Sequence, residues 1–370
     1  MVFIPTYWKD SDLNTWKIFD HPVDINQEGT LGRTLQNLSE TRLEMPVAVL
    51  PVPCVVKVIE KTKRICAPYP NVTVIDLEIL GRLKQRLIDA GMKDEDLVLV
   101  DFNSYGGVRN IGLVYAMEKA FDQVFMMDDD ECLAPGYGRN ILRHIGTEVE
   151  GAIVLGKCGC VEDIHGNKVY DGQQGEWGEA WPKDRFFNAE IINYLDSERT
   201  IIRSNLGFGG NSIIDRRLFS KVPFDPFVAR GEDDDYVLNC RYCGEAFFFD
   251  KEMLLLHLPP ERKTAFWTRH RQDFLRFAYV REKLKVFGLK PADLGPFLSF
   301  FTKNDLEKKV LYSCIEASTY FLYDADEAKR FLETAKIALF IDRKKLRDKA
   351  ERFKHLIDSW RKAMPALGGS

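Results

Sequence analysis

The sequence predicts an α/β protein with a Rossmann-like, doubly wound, mostly parallel sheet that has a small antiparallel part, followed by a helical C-terminal region. Over residues 2–127, short apolar runs alternate with amphipathic segments, a spacing typical of parallel sheets. Over residues 151–260, shorter strand-like runs are separated by Gly-rich and polar loops. From residue 261 on, Leu, Phe and Ile recur at three- and four-residue spacing, which indicates amphipathic helices.

Each predicted strand or helix rests on its own run of residues. Apolar runs predict strands at 2–7, 47–52, 72–75, 97–100 and 124–127. Helical spacing predicts helices at 29–38, 55–59, 77–90 and 110–121. In the second region, short apolar runs predict strands at 151–155, 213–214, 246–249 and 253–256. We therefore divide the chain into a sheet region, residues 1–260, and a helical region, residues 261–370.

Composition and charge restrict the classes of function. Hydrophobic residues make up 45% of the 370 residues, which is enough for a substantial core and excludes wholesale disorder. The formal net charge is −4, so no global field recruits nucleic acid. Residues 261–370 carry 24 Lys or Arg and 15 Asp or Glu, which leaves the sheet region acidic. An acidic sheet region suits a metal site.

The sequence favours a cytoplasmic protein. The apolar run 2–8 has no basic leader before it, and no stretch approaches the ~18–20 apolar residues that span a bilayer. The eight cysteines are scattered, and a chain of this length needs no disulfide framework. Cys240 and Cys243 have the spacing of a zinc site but no second ligand pair, so two packed thiols are expected there.

The first acidic cluster follows a buried strand. The apolar run 124–127 leads directly into Asp128-Asp129-Asp130-Glu131. Ligands of open α/β sheets bind at the carboxyl ends of strands, and a hard divalent cation, Mg²⁺ or Mn²⁺, offsets the repulsion between consecutive carboxylates. Because alternate residues of an extended segment point the same way, Asp128 and Asp130 are expected to face one site. A solvated turn that caps the next helix is the alternative.

The second acidic cluster follows a glycine-rich segment. Gly209-Gly210-Asn211 lets the backbone approach a ligand closely, and the Asn211 side chain offers both a donor and an acceptor. Further along, Gly231 precedes Glu232-Asp233-Asp234-Asp235, from which the chain continues as a helix. Because acids at a helix N-terminus are favoured by the helix dipole, a plain helix start is the alternative to a functional site.

In their order along the chain, these segments resemble inverting glycosyltransferases of the GT-A fold, family-2 type. The resemblance rests on Arg109-Asn110-x-Gly112, the Asp-Asp-Asp-Glu turn, Gly-Gly-Asn, Gly-Glu-Asp, and a histidine after a strand. The opening segment Ile4-Pro5-Thr6-Tyr7 is similar to that family's first strand and nucleotide-binding loop. The resemblance covers residues 1–260, and it implies the GT-A form of the predicted sheet.

The resemblance implies specific roles at the metal and the reacting atoms. Asp128 and Asp130, with His257 after the last strand, would hold Mg²⁺ or Mn²⁺. Asp233, with Glu232 beside it, would be the catalytic base. Because the whole turn is acidic, Asp129 and Glu131 form an alternative pair of metal ligands.

The resemblance also implies the residues around the nucleotide diphosphate sugar. They are Pro5, Thr6, Tyr7, Arg109, Asn110, Asp128, Asp129, Gly209, Gly210 and Asn211. The second strand, Ala48-Val49-Leu50-Pro51-Val52-Pro53, lacks the Asp-Asp-Gly-Ser ending frequent in that family. The base of the donor, UDP or GDP, is therefore left open.

The implied reaction transfers a hexose from the nucleotide diphosphate sugar to an acceptor hydroxyl, with inversion. A divalent cation offsets the charge of the leaving diphosphate, and a carboxylate takes the hydroxyl proton. Trp177 and Trp181, in a Gly-rich loop, are expected either to stack on the acceptor or to anchor the loop. Three alternatives stay open: a retaining glycosyltransferase, a nucleotidyltransferase, and a carbohydrate-binding protein without activity.

The helical region contains a basic run and a set of aromatic residues. The basic run Arg-Lys-Lys-Leu-Arg at 343–347 is expected to be a solvated helix face. A peripheral membrane contact and the interface of a homo-oligomer are the alternatives. The aromatic residues are predicted to form a separate packing core of this region: Phe297, Phe300, Phe301, Tyr320 and Phe321.

Overall fold

A curled, mostly parallel sheet forms the centre of the protein. The computed structural model describes residues 1–10, 19, 22–134, 136–137, 141–169, 179, 181–260 and 265–368. The first half contains β1 (Val2–Lys9), β2 (Val23–Asp24), α1 (Leu31–Glu40), β3 (Val47–Val52), α2 (Val56–Cys66), β4 (Val72–Val74), α3 (Leu77–Asp89), α4 (Tyr105–Glu118), β5 (Gln123–Met126) and β6 (Glu131–Leu133).

The second half continues the sheet and then becomes helical. It contains β7 (Glu148–Val149), β8 (Ala152–Ile153), β9 (Gly156–Glu162), α5 (Lys183–Asp196), β10 (Ile201–Arg203), β11 (Ser212–Asp215), α6 (Arg216–Phe219), α7 (Glu232–Tyr242) and β12 (Phe248–His257). The helical region contains α8 (Phe266–Phe287), α9 (Gly295–Phe301), α10 (Leu306–Tyr320), α11 (Ala325–Leu339) and α12 (Arg343–Leu367). The helices predicted from residue 261 on are thus confirmed.

Strand order explains how distant segments meet. The main sheet has the order β10-β12-β9-β11-β5-β1-β3-β4, with β2 beside β1 and β6 beside β12. Strands β5, β1, β3 and β4 are parallel, whereas β11 runs antiparallel to β5 with Ser212 opposite Met126. This register places the segment before Ser212 next to the segment after Met126. On β12, His257 lies opposite Glu131.

The central strands are apolar on both faces because both faces are covered. On β1, Val2 and Ile4 pack in one hydrophobic cluster, and Phe3 packs in the other. The larger cluster continues into α8, α9 and α12, so the sheet and the helical region share one core. The separate packing core predicted for the helical region is therefore wrong. Phe297, Phe301 and Phe321 are buried in the shared core, Phe300 packs against it, and Tyr320 is exposed.

Most strands and helices predicted for the first half are confirmed, with ends that shift by a few residues. One strand is wrong: the apolar run 97–100 lies in the 3-10 helix Asp94–Val100. Its Leu99 and Val100 side chains are buried, but the carbonyl oxygen of Leu99 accepts a hydrogen bond from the Asn110 side chain at 2.9 Å and not from a neighbouring strand. A short apolar run shows burial and does not separate a strand from a helix.

The second half departs further from the predicted strands. Runs 246–249 and 253–256 belong to one strand, β12, whose pairing with β9 is irregular between Phe249 and Leu254. Run 151–155 forms only the short β8, which pairs with β7 outside the main sheet. Strand β9 was not predicted, because its Gly and Cys residues carry little strand propensity.

The cysteines and the basic run have simple surroundings. All eight cysteines are free, and all but Cys243 are buried. In the basic run, Arg343 lies 3.0 Å from Glu307 and Arg347 lies 3.1 Å from Glu282, while both arginines stay about half exposed. No helix in the described part of the chain is long and apolar enough to cross a membrane.

Buried ion pairs join α8 to the sheet region. Lys283 of α8 is completely buried, and its ammonium lies 2.6 Å from Asp225 and 2.7 Å from Asp235. Asp225 also accepts a hydrogen bond from Tyr279 at 2.7 Å. Two carboxylates thus share one lysine, so removal of the lysine would leave both without their cation.

We predict that Lys283→Met destabilises the protein by about 3–5 kcal/mol, because it leaves buried carboxylates uncompensated. The measurement is the free energy of unfolding in urea. Lys285→Met is the matched control: Lys285 lies on the same helix, pairs with Glu282 and is half exposed, so its loss should cost about 1 kcal/mol or less. Equal losses for the two variants would contradict the buried pairing.

Candidate functional site

The first acidic cluster is anchored from two sides. The Asp128 carboxylate accepts a hydrogen bond from Nη2 of Arg109, on α4, at 2.7 Å. The Asp129 carboxylate accepts one from the Thr6 hydroxyl, on β1, at 2.5 Å. Glu131 folds back, and its carboxylate accepts the backbone N–H of Asp128 at 2.9 Å. The turn is therefore held in one conformation, with Asp129 turned away from Asp128.

The fourth acid of the cluster lies beside the histidine. Nε2 of His257 is 3.5 Å from Oδ2 of Asp130, and the N–H of Leu258 donates to the Asp130 carbonyl oxygen at 2.8 Å. Thr34, on α1, also holds the turn, since its hydroxyl donates to the carbonyl oxygens of Asp129 and Glu131. The pairing of β6 with β12 thus joins two segments that are more than a hundred residues apart.

Asp130 and His257 fit a divalent cation that is bound together with a diphosphate. Among the described residues, no three His, Cys, Asp or Glu side chains are gathered as a complete ligand set. A nucleotide-bound cation needs only one or two protein ligands, because phosphate oxygens supply others. The carboxylate of Asp130 suits Mg²⁺ or Mn²⁺, and the imidazole of His257 is a ligand more typical of Zn²⁺ or Fe²⁺. The pair is thus compatible with a metal–diphosphate complex.

Crowding of the carboxylates changes their pKa values. Burial and the neighbouring Asp130 raise the pKa of Asp129 to about 8. Burial, with repulsion from Asp128 and Asp130, also raises the pKa of Glu131 well above its usual value. These shifts show that negative charge is costly in the turn. A bound cation would lower that cost.

The second acidic cluster starts helix α7, and three of its four carboxylates lie beside cations. Glu232 lies 3.5 Å from Nε of Arg109, Asp234 pairs with Arg276, and Asp235 pairs with Lys283. Asp233 has no ion pair in the described part of the chain. Its carboxylate accepts the backbone N–H groups of Gly209 at 3.1 Å and of Asp234 at 2.9 Å. Among the described residues no cation lies within ion-pair distance of Asp233, although the charge of Arg276 acts on it.

Arg109 connects the two clusters. Its side chain is only 3% exposed, and its guanidinium touches Asp128 of the first cluster and Glu232 of the second. The glycine segment lies between them. A Cβ on Gly209 would be 2.8 Å from Nη2 of Arg109, and a Cβ on Gly210 would be 2.2 Å from the Glu131 carboxylate. The side chains of Arg109 and Glu131 thus occupy the space that a side chain on either glycine would need.

Two predicted donor-pocket residues use their polar groups inside the protein. The Asn110 amide donates to Leu99 and Phe224 carbonyl oxygens, and its oxygen accepts the N–H of Phe224. Asn211 donates to carbonyl oxygens of Cys160 and Met253, and its oxygen accepts from Tyr137. Both side chains tie the backbone of the site together, and their bonding capacity is largely taken.

Of the three β1 residues in the predicted pocket, only Tyr7 has a polar side-chain group without a hydrogen-bond partner in the described structure. Pro5 and Thr6 are buried in the sheet, where Thr6 holds Asp129. The Tyr7 ring packs against Phe19, with ring centres 4.6 Å apart, and its buried hydroxyl has no hydrogen-bond partner in the described structure. Burial raises the pKa of Tyr7, so the phenol stays neutral and remains a hydrogen-bond donor.

For Trp181, the structure favours the anchoring alternative over stacking on an acceptor. Trp181 has no exposed surface, and its ring packs edge-on against His270 and Phe301 at 5.0 and 4.8 Å. A fully enclosed ring has no free face for stacking, so Trp181 anchors the chain before α5. Trp177 lies outside the described residues.

Sequence analysis missed the residues that hold the two clusters. Thr34 lies inside α1, Arg276 and Lys283 lie inside α8, and no local motif distinguishes them. One indirect signal was present: four consecutive acids at a buried helix start require cations nearby. The sequence does not say which of its 52 Lys and Arg residues supply them.

Comparison with known proteins places the fold. No protein-family model matches this sequence, and no curated protein matches it. The structure is similar to a mannosyltransferase from Pyrobaculum calidifontis in complex with GDP-Man and Mn²⁺, with a TM-score of 0.51 at 13% identity. The match covers 97% of this chain and 84% of that chain. The two proteins therefore share a mixed α/β fold that includes the helical region.

A second solved structure is more distant. It is described as a mycobacterial protein and matches with a TM-score of 0.43 at 14% identity, over 78% of this chain and 74% of that chain. A likeness of this size carries no argument about fold or function.

The acid at the start of α7 generates a prediction about stability. Burial and repulsion from Asp233 raise the pKa of Glu232 to about 7 from its ordinary 4.5. The folded state therefore keeps a proton that the unfolded state loses, and Glu232 destabilises the fold as the pH rises from 4.5 through 7. Relative to wild type, Glu232→Gln should gain about 3 kcal/mol between pH 4.5 and 8 in urea unfolding with EDTA present.

Glu282→Gln is the control for this pH profile. Although burial opposes it, hydrogen bonds from Lys285 and Arg347 lower the pKa of Glu282. The unfolded carboxyl is also ionised above pH 6, so the difference between Glu282→Gln and wild type should stay constant from pH 6 to 8. Parallel profiles for Glu232→Gln and wild type over the full range would show that Glu232 is ionised in the folded protein throughout.

Proposed function

We propose that this protein is a metal-dependent glycosyltransferase that transfers a hexose from a nucleotide diphosphate sugar to an acceptor hydroxyl, with inversion. The observation that carries the proposal is the convergence of two acidic clusters on Arg109. It places the Asp130–His257 pair beside the first cluster and Asp233, which forms no ion pair among the described residues, in the second. The fold shared with a mannosyltransferase supports the same class of enzyme.

The diphosphate side of the site would be formed by Asp130, His257, Arg109 and Tyr7. The cation bound there supplies positive charge that offsets the charge developing on the leaving diphosphate. Nη1 of Arg109 is buried without a hydrogen-bond partner in the described structure, as is the Tyr7 hydroxyl. Buried donors of this kind are satisfied when an anion or a hydroxyl-rich ligand binds. These groups therefore suit the diphosphate and the sugar of the donor.

The acceptor side would be formed around Asp233. Its carboxylate takes the proton of the acceptor hydroxyl while the hydroxyl oxygen forms a bond to the anomeric carbon. The bond from that carbon to the diphosphate breaks, and its electron pair leaves with the nucleotide diphosphate. One displacement of this kind inverts the anomeric centre. In this scheme Glu232 pairs with Arg109 and positions the helix start, and Asp233 alone takes the proton.

The nature of the donor follows from the same groups. A cation held by Asp130 and His257 favours a diphosphate over a monophosphate. GDP-mannose is the first donor to test, because the mannosyltransferase of similar fold binds GDP-Man. UDP-sugars are the second choice, since the base-binding ending of the family is absent from the strand Val47–Val52. The acceptor is a hydroxyl compound.

We predict that Asp233→Asn lowers the turnover number at least about a hundredfold, the usual effect of removing a general base. Donor binding should be unchanged, because Asp233 is not among the groups proposed to hold the diphosphate. Release of nucleoside diphosphate from GDP- and UDP-sugars measures turnover, and NMR of the product gives the anomeric configuration. Asp324→Asn, at the start of α11, is the matched control and should be as active as wild type.

Three outcomes of these measurements would contradict the proposal in different ways. Retention at the anomeric carbon would remove Asp233 from the role of base and favour a retaining enzyme. Release of pyrophosphate from nucleoside triphosphates would indicate a nucleotidyltransferase. Full biological activity of Asp233→Asn without sugar transfer would indicate a carbohydrate-binding protein.

We predict that Asp130→Ala abolishes metal-dependent donor binding. In wild type, a donor present at a hundred times its dissociation constant with Mn²⁺ stabilises the fold by about 2.7 kcal/mol, which a thermal shift detects. EDTA should remove the shift in wild type, and Asp130→Ala should show none. Asp163→Asn, an exposed carboxylate in a loop, should keep the full shift. A shift that survives in Asp130→Ala would exclude the Asp130–His257 pair as the metal site.

A further inference from the structure

Helix α8 contributes a second buried cation to the start of α7, in addition to Lys283. Arg276 is 5% exposed, and its Nη2 donates to Oδ2 of Asp234. The other oxygen of Asp234 accepts the backbone N–H of Gly207 at 2.9 Å. Asp234 is thus clamped between α8 and the glycine segment. Its position depends on the guanidinium of Arg276.

We propose that Arg276 is a positioning residue that orients Asp233 through Asp234, an inference that rests on the proposed function of Asp233. Each oxygen of Asp233 is held by one backbone N–H. One belongs to Asp234, and the other belongs to Gly209, two residues beyond Gly207. Both N–H groups lie on segments that Asp234 ties together. Loss of Arg276 therefore loosens both hydrogen bonds that aim the Asp233 carboxylate.

The backbone before the acidic cluster is shaped around this guanidinium. Gly231 has a φ of 68°, a left-handed conformation that favours glycine. A Cβ at Gly231 would lie 2.1 Å from Nη1 of Arg276, so the guanidinium lies directly on the glycine. The turn into α7 and the clamp on Asp234 thus require the same arginine.

The guanidinium of Arg276 is buried, which opposes its charge, but it lies among the carboxylates of Asp234, Asp273 and Asp233, which raise its pKa. Its charge therefore acts on the whole acidic start of α7. The docking of α8 against α7 already has an ion pair in Lys283 with Asp235, two turns further along. Lys283 thus attaches α8 to α7, and Arg276 in addition orients the start of α7.

The test compares two buried arginines of the same helix. Arg281 is 3% exposed and pairs with Glu307 of α10, away from α7. Arg276→Ala should lower kcat by about tenfold to a hundredfold, the cost of a displaced reacting group, with the donor KM within about threefold. Arg281→Ala should lose stability and keep kcat. Guanidinium chloride at millimolar concentration should restore part of kcat in Arg276→Ala only, and NaCl at equal ionic strength should not.

A second variant tests the inference if Arg276→Ala does not fold. A second readout tests it if the proposed function is wrong. Asp234→Asn weakens the same clamp with a side chain of similar size, so the kcat of this variant should fall. The double variant Arg276→Ala with Asp234→Asn should lose little more kcat than either single variant. If Arg276→Ala does not fold, an unchanged kcat in Asp234→Asn overturns the inference. So does equal kcat in Arg276→Ala and Arg281→Ala.

Crystal structures give a readout that needs no activity. In Arg276→Ala or Asp234→Asn, the Asp233 carboxylate should leave the N–H of Gly209, whereas in Arg281→Ala it should stay. An unmoved Asp233 overturns the positioning role whatever the activity. Absence of sugar transfer in wild type, together with a displaced Asp233 in the variants, overturns the proposed function and leaves the positioning role supported.

Discussion

The ion pairs of Arg109 with Asp128 and Glu232 are the interaction on which the rest of the site depends. They join an acidic turn at the end of β5 to an acidic helix start more than a hundred residues later. Without a shared cation, two clusters of four acids each would repel one another. Because Arg109 lies on α4, whose residues are buried in the main hydrophobic core, the cation that joins the clusters is anchored in that core.

The remaining acids are held individually by neighbouring groups. Asp234 and Asp235 face cations of α8, while Asp129 and Glu131 accept hydrogen bonds inside the turn. The helical region thus takes part in the site through Arg276 and Lys283, although it lies beyond all the sequence motifs.

Differences between the predicted and observed elements have a common cause. The run 97–100 is apolar because it is buried, and Asn110 takes a carbonyl oxygen that a strand would offer to its neighbour. Trp181 was expected in a Gly-rich loop, either stacked on the acceptor or anchoring the loop, and is enclosed by α8 and α9. For the run 97–100 the local pattern reported burial correctly, and for Trp181 it left both alternatives open. The partner that covers the segment, which determines its conformation or role, lies far away in the sequence.

The sequence by itself determined the alternating α/β order, the helical region, and the two acidic clusters, since each is a local pattern of apolar or charged residues. Only the tertiary structure decided which acids are paired, that Asn110 and Asn211 bond to backbone, and that Arg276 and Lys283 serve the α7 start. The physical reason is that a charge is balanced by whichever opposite charge the fold brings within a few ångströms. That neighbour is set by strand order and helix packing and leaves no mark in the local sequence.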